Sequence, residues 1–461
     1  MDLTEKLTVK NLFAKAKDGS LTPYDGSLRT FGGFVRNNRT FGEIGFITLN
    51  DGSCFDNLQI VYQTSDRQAR EAKRGSSILV KGTLKLTPEA KQPFEIDRTE
   101  REIVGKVTES YPLQKKKTSF EYLRQFPQWR RRTNTFNAVF RIRSTLAYYI
   151  HQFFHENGYY YIHTPLITAN DCEGEGQTFQ VASDLKHPEE FFGKDNVHLT
   201  VSGQLHVEPF ALTYGKVYTF GPTFRAEKSN TTRHAAEFWR IEPEIAWAHL
   251  SDLCDIEEKF LKYVVSKTRK ECERDRHFLY QFVDKSLEQR LKDFVEKPFV
   301  RVKYEEAIKL LQDAAKSGVK FEVSDIKFGL DLGSEHERYL TEKVFKGPIF
   351  LTDYPKEIKA FYRKQNEDGK TVGACDLLVP GIGELCGGSE RECSFEKLKS
   401  RREELKRNRP AYEWYLDLRE NGSRPHSGFG LGFERLVRLV TGRQNIRDTL
   451  PYPRCYKDMR F

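Results

Sequence analysis

Residue types that handle phosphates and carboxylates are concentrated between Thr223 and Glu244. Phe224-Arg225-Ala226-Glu227 opens the stretch, a polar run leads to Arg233-His234, and Glu237-Phe238-Trp239 returns to Ile241-Glu242-Pro243-Glu244. Aromatic and β-branched residues around a polar centre predict two strands joined by a long loop. An arginine offers a fork of donors for phosphate or carboxylate. A carboxylate two residues on in a strand shares its face, where it can accept from the amino group of a base. Phe238 offers a platform for a purine. Such an Arg-x-Glu pair alone is more often a surface cross-pair, so partners must come from elsewhere in the chain.

Two later segments are comparably dense. Asp376-Leu377-Leu378-Val379-Pro380-Gly381-Ile382-Gly383-Glu384 runs on into Gly387-Gly388-Ser389-Glu390-Arg391, placing two acids around an apolar turn, then glycines, then an arginine. Ser427-Gly428-Phe429-Gly430-Leu431-Gly432-Phe433-Glu434-Arg435 opens a helix ending near Gly442. Alternate glycines in a strand leave a flat strip against which a planar group can lie. They do not continue into Gly-x-Gly-x-x-Gly, which sets aside a dinucleotide fingerprint.

These groups need elements to hold them. Residues 1–105 read as five short strands, at Leu28–Arg36, Ile44–Leu49, Leu58–Tyr62, Ser77–Leu86 and Phe94–Ile103, with a helix at Ser65–Lys73 after the third. That order describes an OB-fold barrel, a binder of single-stranded nucleic acid. Arg39, Phe46 and Gln59 are its candidates for a phosphate or base edge, a stacking platform and a Watson-Crick edge, although the pattern alone slightly favours Phe46 as core. Residues 106–134, with Lys115-Lys116-Lys117, Pro127 and Arg130-Arg131-Arg132, read as a basic hinge suited to a phosphate backbone or to solvent.

From Phe136 the period is helical, with Val139, Phe140, Ile142, Leu146, Tyr149, Ile150, Phe153 and Phe154 on one face and a stop at Gly158. Tyr159–His163 reads as a strand ended by Pro165. Asp171-Cys172-Glu173-Gly174-Glu175-Gly176 reads as a mobile acidic loop. Ser202 and Gln204 sit where a strand end would aim them into a pocket. Residues 250–345 are mostly helical and highly charged, before an apolar strand at Pro348–Asp353.

The 461 residues suffice for two or three domains, and 38% hydrophobic with 13% aromatic residues indicates a folded chain. A net charge of +9 suits a polyanionic partner, nucleic acid first. The eight cysteines contain no Cys-x-x-Cys and no zinc-ligand spacing with histidine, which predicts reduced thiols in a cytoplasmic setting. No apolar run reaches the roughly 18–20 residues of a membrane span. The start Met1-Asp2-Leu3-Thr4-Glu5 lacks the character of a signal peptide.

Taken in order, the helix and strand ending at Pro165, the segment around Arg225 and the segment around Arg435 resemble the three signature motifs of the class II aminoacyl-tRNA synthetases. The barrel, Gln204-Leu205 and Gly387-Gly388-Ser389-Glu390-Arg391 narrow the resemblance to the aspartyl and asparaginyl subgroup. Ser334-Glu335-His336-Glu337-Arg338-Tyr339, Thr352-Asp353-Tyr354-Pro355-Lys356 and Pro425-His426-Ser427-Gly428 resemble its asparaginyl-tRNA synthetase branch.

The resemblance implies an α+β architecture: an N-terminal anticodon-binding OB-fold barrel, and a catalytic domain at 135–461 built on a six-stranded antiparallel sheet flanked by helices, with a helical insertion near 250–345. It implies that L-asparagine and ATP form an adenylate whose aminoacyl group passes to tRNA(Asn), with Mg2+, in a homodimer. By the same resemblance Arg225 and Arg435 are catalytic. Arg225, Glu227, Arg233, His234, Phe238, Glu384 and Arg435 bind ATP. Glu173, Ser202, Gln204, Arg225, Glu242, Ser389 and Arg391 bind asparagine. Asp376 and Glu384 bind the metal, and Arg39, Phe46 and Gln59 read an anticodon expected to be GUU.

Aspartyl members carry a lysine where this chain has Val207, and an aspartate where it has Glu242. The longer carboxylate is suited to accept from an amide and repel a second carboxylate. An aspartyl-tRNA synthetase, including a relaxed type, is the alternative. So is a non-catalytic RNA-binding relative, against which stand Arg225, Glu227, Glu384 and Arg435.

Overall fold

The structure, a computed structural model, describes residues 7–90, 92–116, 118–172, 177–405 and 410–460. These form two compact units, residues 1–138 and 139–461.

In the first unit, β1 (Leu28–Phe41), β2 (Ile44–Asn50), β3 (Leu58–Gln63), β4 (Ser77–Leu86) and β5 (Phe94–Gly105) close into a barrel in the order β1-β2-β3-β5-β4. Alternation makes the barrel: Ile47 and Leu49 of β2, Leu58 and Ile60 of β3, and Ile78, Val80 and Leu84 of β4 point inward and are buried. The expected helix between β3 and β4 is shorter, Arg67–Glu71, capped by Asp66 accepting from the Ala69 N–H. A helix at Val9–Asp18, absent from the sequence expectations, adds Val9 and Leu12 to the core and is capped by Thr8. In the basic stretch, Arg130 is fully buried with its guanidinium 4.6 Å from the centre of the Phe136 ring, so it is not a solvated cation.

The second unit is organised on one sheet. Its strands are β6 (Tyr160–Tyr161), β9 (Lys216–Phe224), β10 (Glu237–Ala246), β11 (Val300–Lys303), β12 (Ile349–Pro355), β13 (Thr371–Val379), β14 (Gly383–Glu390) and β15 (His426–Gly432), in the order β11-β12-β13-β14-β15-β10-β9-β6. A separate two-stranded ribbon pairs β7 (Ile167–Thr168) with β8 (His198–Leu199). The six strands from β12 to β9 are antiparallel throughout, and β11 and β6 each join an edge in parallel, so the sheet has eight strands rather than six.

The helix Asn134–Glu156 buries Phe136, Val139, Ile142, Leu146, Ile150, Phe153 and Phe154, as its period predicts, and the chain turns at Gly158 with φ 77°. The charged region near 250–345 is mainly helical but contributes β11 to the sheet.

Candidate active site

Four side chains of β10 define the site by alternation. Phe238, Arg240, Glu242 and Glu244 share the face that lines two adjoining cavities, while Ile241 and Ile245 are buried on the opposite face. β15 lies beside this strand, with Gly428 opposite Glu244 and Gly432 opposite Arg240. The glycine strip leaves room for planar groups, as expected, but two of them belong to the protein. An added Cβ would lie 2.1 Å from the Glu244 carboxylate at Gly428, and 2.3 Å from the Arg240 guanidinium at Gly430.

The smaller cavity, about 110 Å³, is lined by Arg225, Glu227, Arg233, His234, Phe238, Glu384 and Arg435 among others, so all seven expected nucleotide residues meet there. Arg225 and Glu227 do not sit on a strand: β9 ends at Phe224, and both occupy the loop before β10. The Arg225 N–H bonds the Ala236 carbonyl at 2.9 Å, which closes the base of that loop. Arg225 approaches Glu227 at 3.4 Å and the Phe238 ring centre at 5.7 Å, while His234 Nε2 lies 3.5 Å from Glu227. Arg435 stands in the first turn of the helix Phe433–Thr441 and donates to the Glu384 carbonyl at 2.7 Å, with the Glu384 carboxylate 3.5 Å away.

The larger cavity, about 580 Å³, reaches Gln204, Glu242, Glu244, Asp376, Glu384 and Arg391. Gln204 is the first residue of the helix Gln204–Tyr214, not a strand end, and Ser202 lies in the turn before it. Glu242, almost fully buried, accepts from Ser202 Oγ at 2.5 Å and from the Gly203 N–H at 2.8 Å, with Arg240 Nε 3.3 Å away. Arg391 is held in fork geometry by Glu244, with Nε donating at 3.2 Å and Nη2 at 2.5 Å, and Nη1 donates to Ser389 Oγ at 2.6 Å. Ser389 therefore orients Arg391 and is not itself among the lining residues. Burial pushes Arg391 towards losing its proton, but Glu244 outweighs this and holds it cationic; burial raises Glu244 against the pull of Arg391. Glu173 lies outside the described residues.

Asp376 and Glu384 flank Gly387, where an added Cβ would meet Glu384 Oε1 at 2.9 Å and Asp376 Oδ1 at 3.2 Å. Lys359 Nζ reaches Asp376 at 2.6 Å. Burial works to raise Asp376, but Lys359 and Arg363 hold it below its ordinary value.

Several lining residues escaped the sequence expectations. Arg240 and Glu244 follow from the same two-residue alternation as Phe238 and Glu242, so their signal was present. Glu337 stands in a run noted only for its family likeness. Burial, then the Glu384 carboxylate, pushes it up to about 7. Lys359 and Arg363 come from the segment after β12, which carries no period to flag them.

On the barrel, Arg39 stands opposite Phe46 in register, with its guanidinium 5.5 Å from the ring centre, and Phe46 is half-buried on the outer face rather than in the core. Gln59 pairs with Thr48 on the adjoining strand, and its amide donates to Glu95 at 3.1 Å. Arg39 also lines a groove of about 500 Å³ with Arg70, Lys73, Arg74 and Lys115.

Residues 118–456 match the family described as tRNA synthetases class II (D, K and N), and residues 30–107 match the OB-fold nucleic acid binding domain. The asparagine–tRNA ligase of Clostridium tetani is 51% identical over 437 residues, covering 92% of this chain and 93% of that protein. That of Acetivibrio thermocellus is 49% identical over 469 residues, covering 98% and 99%. The crystal structure of asparaginyl-tRNA synthetase from Pyrococcus horikoshii complexed with asparaginyl-adenylate superposes with a TM-score of 0.85 at 33% identity, covering 98% of this chain and 99% of that one.

Proposed function

The chain belongs to the class II tRNA synthetases of the D, K and N group, and from that premise we infer that it is an asparagine–tRNA ligase. It activates L-asparagine with ATP, releasing pyrophosphate, and transfers the asparaginyl group to the 3′ end of tRNA(Asn). The observation that carries this assignment within the site is the adjacency of the two cavities: Arg225, Arg240, Glu384 and Gly430 line both. A nucleotide in the smaller cavity and an amino acid in the larger meet at Arg225.

The attacking group is the α-carboxylate, which with a pKa of about 3.3–3.7 is already ionised at neutral pH. The site therefore needs alignment and charge neutralisation rather than a strong base. Arg225 draws the carboxylate and the α-phosphate together. The new bond from carboxylate oxygen to phosphorus forms as the bond to pyrophosphate breaks, and Arg435 takes charge on the departing phosphates. Phe238 lies under the adenine, Glu227 accepts from its amino group, and Arg233 and His234 face phosphate and the tRNA end.

Asp376 and Glu384 fit a hard divalent cation, because two carboxylates converge over a residue without Cβ beside a phosphate site. Mg2+ held there would supply neutralisation of phosphate charge. Before nucleotide arrives, Lys359 and Arg435 accompany the two acids.

Selection of asparagine over aspartate is supported by three features. Val207 is fully buried among apolar neighbours and presents no cation. Arg391 reaches the cavity already neutralised by Glu244, so it offers hydrogen bonds to an amide oxygen without an unbalanced positive charge for a carboxylate. Glu242 adds a negative charge on the same strand face.

Arg39, Phe46 and Gln59 on the barrel, with its basic groove, are suited to tRNA, and Glu173 to the α-ammonium. Tyr160 on β6 and Tyr214 beside it, at 59% and 54% exposure with ring centres 5.2 Å apart, support a homodimer covering that edge. All eight cysteines are thiols rather than disulfides, and a cytoplasmic location is proposed. No described helix is long and apolar enough to cross a membrane.

The test is ATP–pyrophosphate exchange on purified protein with magnesium, asparagine and aspartate in parallel. Exchange with asparagine alone is expected. Exchange with aspartate overturns the specificity, and silence with both favours a non-catalytic role.

A further inference from the structure

Behind the larger cavity lies a buried ionic cluster that adenylate formation does not use. Glu208, with no exposed surface, accepts from Tyr415 Oη at 2.7 and 2.8 Å, from Arg419 Nη2 at 2.7 Å and from Gln204 Nε2 at 3.0 Å. His426 Nε2 faces the same carboxylate at 2.9 Å, and its Nδ1 faces the Arg424 carbonyl at 2.9 Å. Arg419 is fixed in turn by the Glu392 carbonyl at 3.0 Å and by Tyr415 Oη at 2.8 Å.

Glu208, Glu244 and His426 bring three potential metal-ligand atoms within 4.8 Å of one another. Arg419 on Glu208 and Arg391 on Glu244 already supply the positive charge this cluster needs, so it is an ion-pair network rather than a metal centre.

Glu244 and Arg391 line the cavity themselves, whereas Glu208 meets it through Gln204. Gln204 lines the cavity and stands four residues before Glu208, one helical turn away. An amide has a donor end and an acceptor end. With Nε2 committed to the Glu208 carboxylate, the oxygen is the end left for the cavity.

We propose that Glu208 is a positioning residue for amino-acid binding: it holds the Gln204 amide with its oxygen presented to the α-ammonium of the substrate, and Tyr415, Arg419 and His426 hold Glu208. Burial alone would raise Glu208, but Arg419 and then His426 outweigh it and keep it below the usual carboxylate range, ionised as this role requires. A neutral residue at 208 would release the Gln204 amide to rotate and set its NH2 against the ammonium. This assignment rests on the proposal that the larger cavity takes asparagine.

The experiment is a double-mutant cycle in pyrophosphate exchange on the full chain, with Glu208→Gln, Gln204→Ala and the pair, beside thermal melts. Hydrogen bonds to charged groups predict about a tenfold or larger rise in the KM for asparagine with Glu208→Gln, with the KM for ATP and kcat within about twofold. The double variant should be no worse than Gln204→Ala, because Glu208 acts through that residue. Additive losses, a fall in kcat at unchanged asparagine KM, or parental behaviour overturn the proposal. Should Glu208→Gln not fold, Tyr415→Phe removes one donor and leaves the charge. It should raise the asparagine KM by a smaller factor that vanishes in the Gln204→Ala background, and a rise that persists there overturns the proposal. A parent protein active only with aspartate would overturn the underlying assignment, whereas an asparagine-active parent with additive variants overturns only the role of Glu208.

Discussion

Replacing Gly428 by alanine adds one methyl group at the point where β15 passes Glu244. An ideal Cβ there lies 2.1 Å from Glu244 Oε1, 2.2 Å from Cδ and 2.5 Å from Oε2. The backbone at 428 is outside the left-handed region, so the cost is contact rather than dihedral strain. Glu244 cannot retreat easily, because it has no exposed surface and both oxygens are held by Arg391. Overpacking a core costs about 1–3 kcal/mol. Breaking a buried ion pair by losing one partner costs about 3–5 kcal/mol. A loss of roughly 2–5 kcal/mol is therefore expected, between shifting the pair and separating it.

Arg391 would move with its partner, so the KM for asparagine should rise about tenfold or more while the KM for ATP changes little. Gly430→Ala is the informative companion. There the added Cβ meets Arg240 Nη2 at 2.3 Å, the far end of a flexible side chain, and the stability loss should be smaller. Thermal melting and amino-acid-dependent pyrophosphate exchange measure both effects. A Gly428→Ala protein with parental Tm and asparagine KM would refute the claim that this glycine exists to admit the Glu244–Arg391 pair.

Glu242→Gln keeps the bulk and removes the charge beside Ser202 and Gly203. Aspartate-dependent exchange should gain about tenfold relative to asparagine, and unchanged discrimination would remove Glu242 from the selection mechanism. Glu337, raised to about 7 by burial and Glu384, binds its proton more tightly in the folded than in the unfolded chain. Its stabilising contribution is fully present below the unfolded pKa of 4.5 and is lost as pH rises through the folded value, roughly 3 kcal/mol in all. The ligand-free protein should therefore lose Tm between about pH 4.5 and 7 from this group, and Glu337→Gln should flatten the slope. An identical slope in the variant would show that Glu337 does not carry it.

Expectations built on local pattern succeeded where periodicity or motif order is enough. The helix from 134 to 156 buries the face its apolar residues mark, and the barrel strands follow their alternation, because burial acts on residues a few positions apart. The seven residues expected to meet a nucleotide line one cavity, because two motifs carry nearly all of them.

The sequence by itself determined the family, the barrel strands and the long helix from 134 to 156, and named seven of the residues that line the smaller cavity. Which carboxylate grips Arg391 was decided only by the sheet. Glu242 and Glu244 have the same alternation and the same chemistry, but Gly428 stands opposite Glu244 and clears its path to an arginine 147 residues away. Likewise, Glu208 becomes a hub only when strand order brings Arg419 and His426, 211 and 218 residues distant, behind the helix that carries Gln204. A buried charge chooses its partner by proximity in the folded sheet, and pairs so far apart in the chain leave no periodic trace along it.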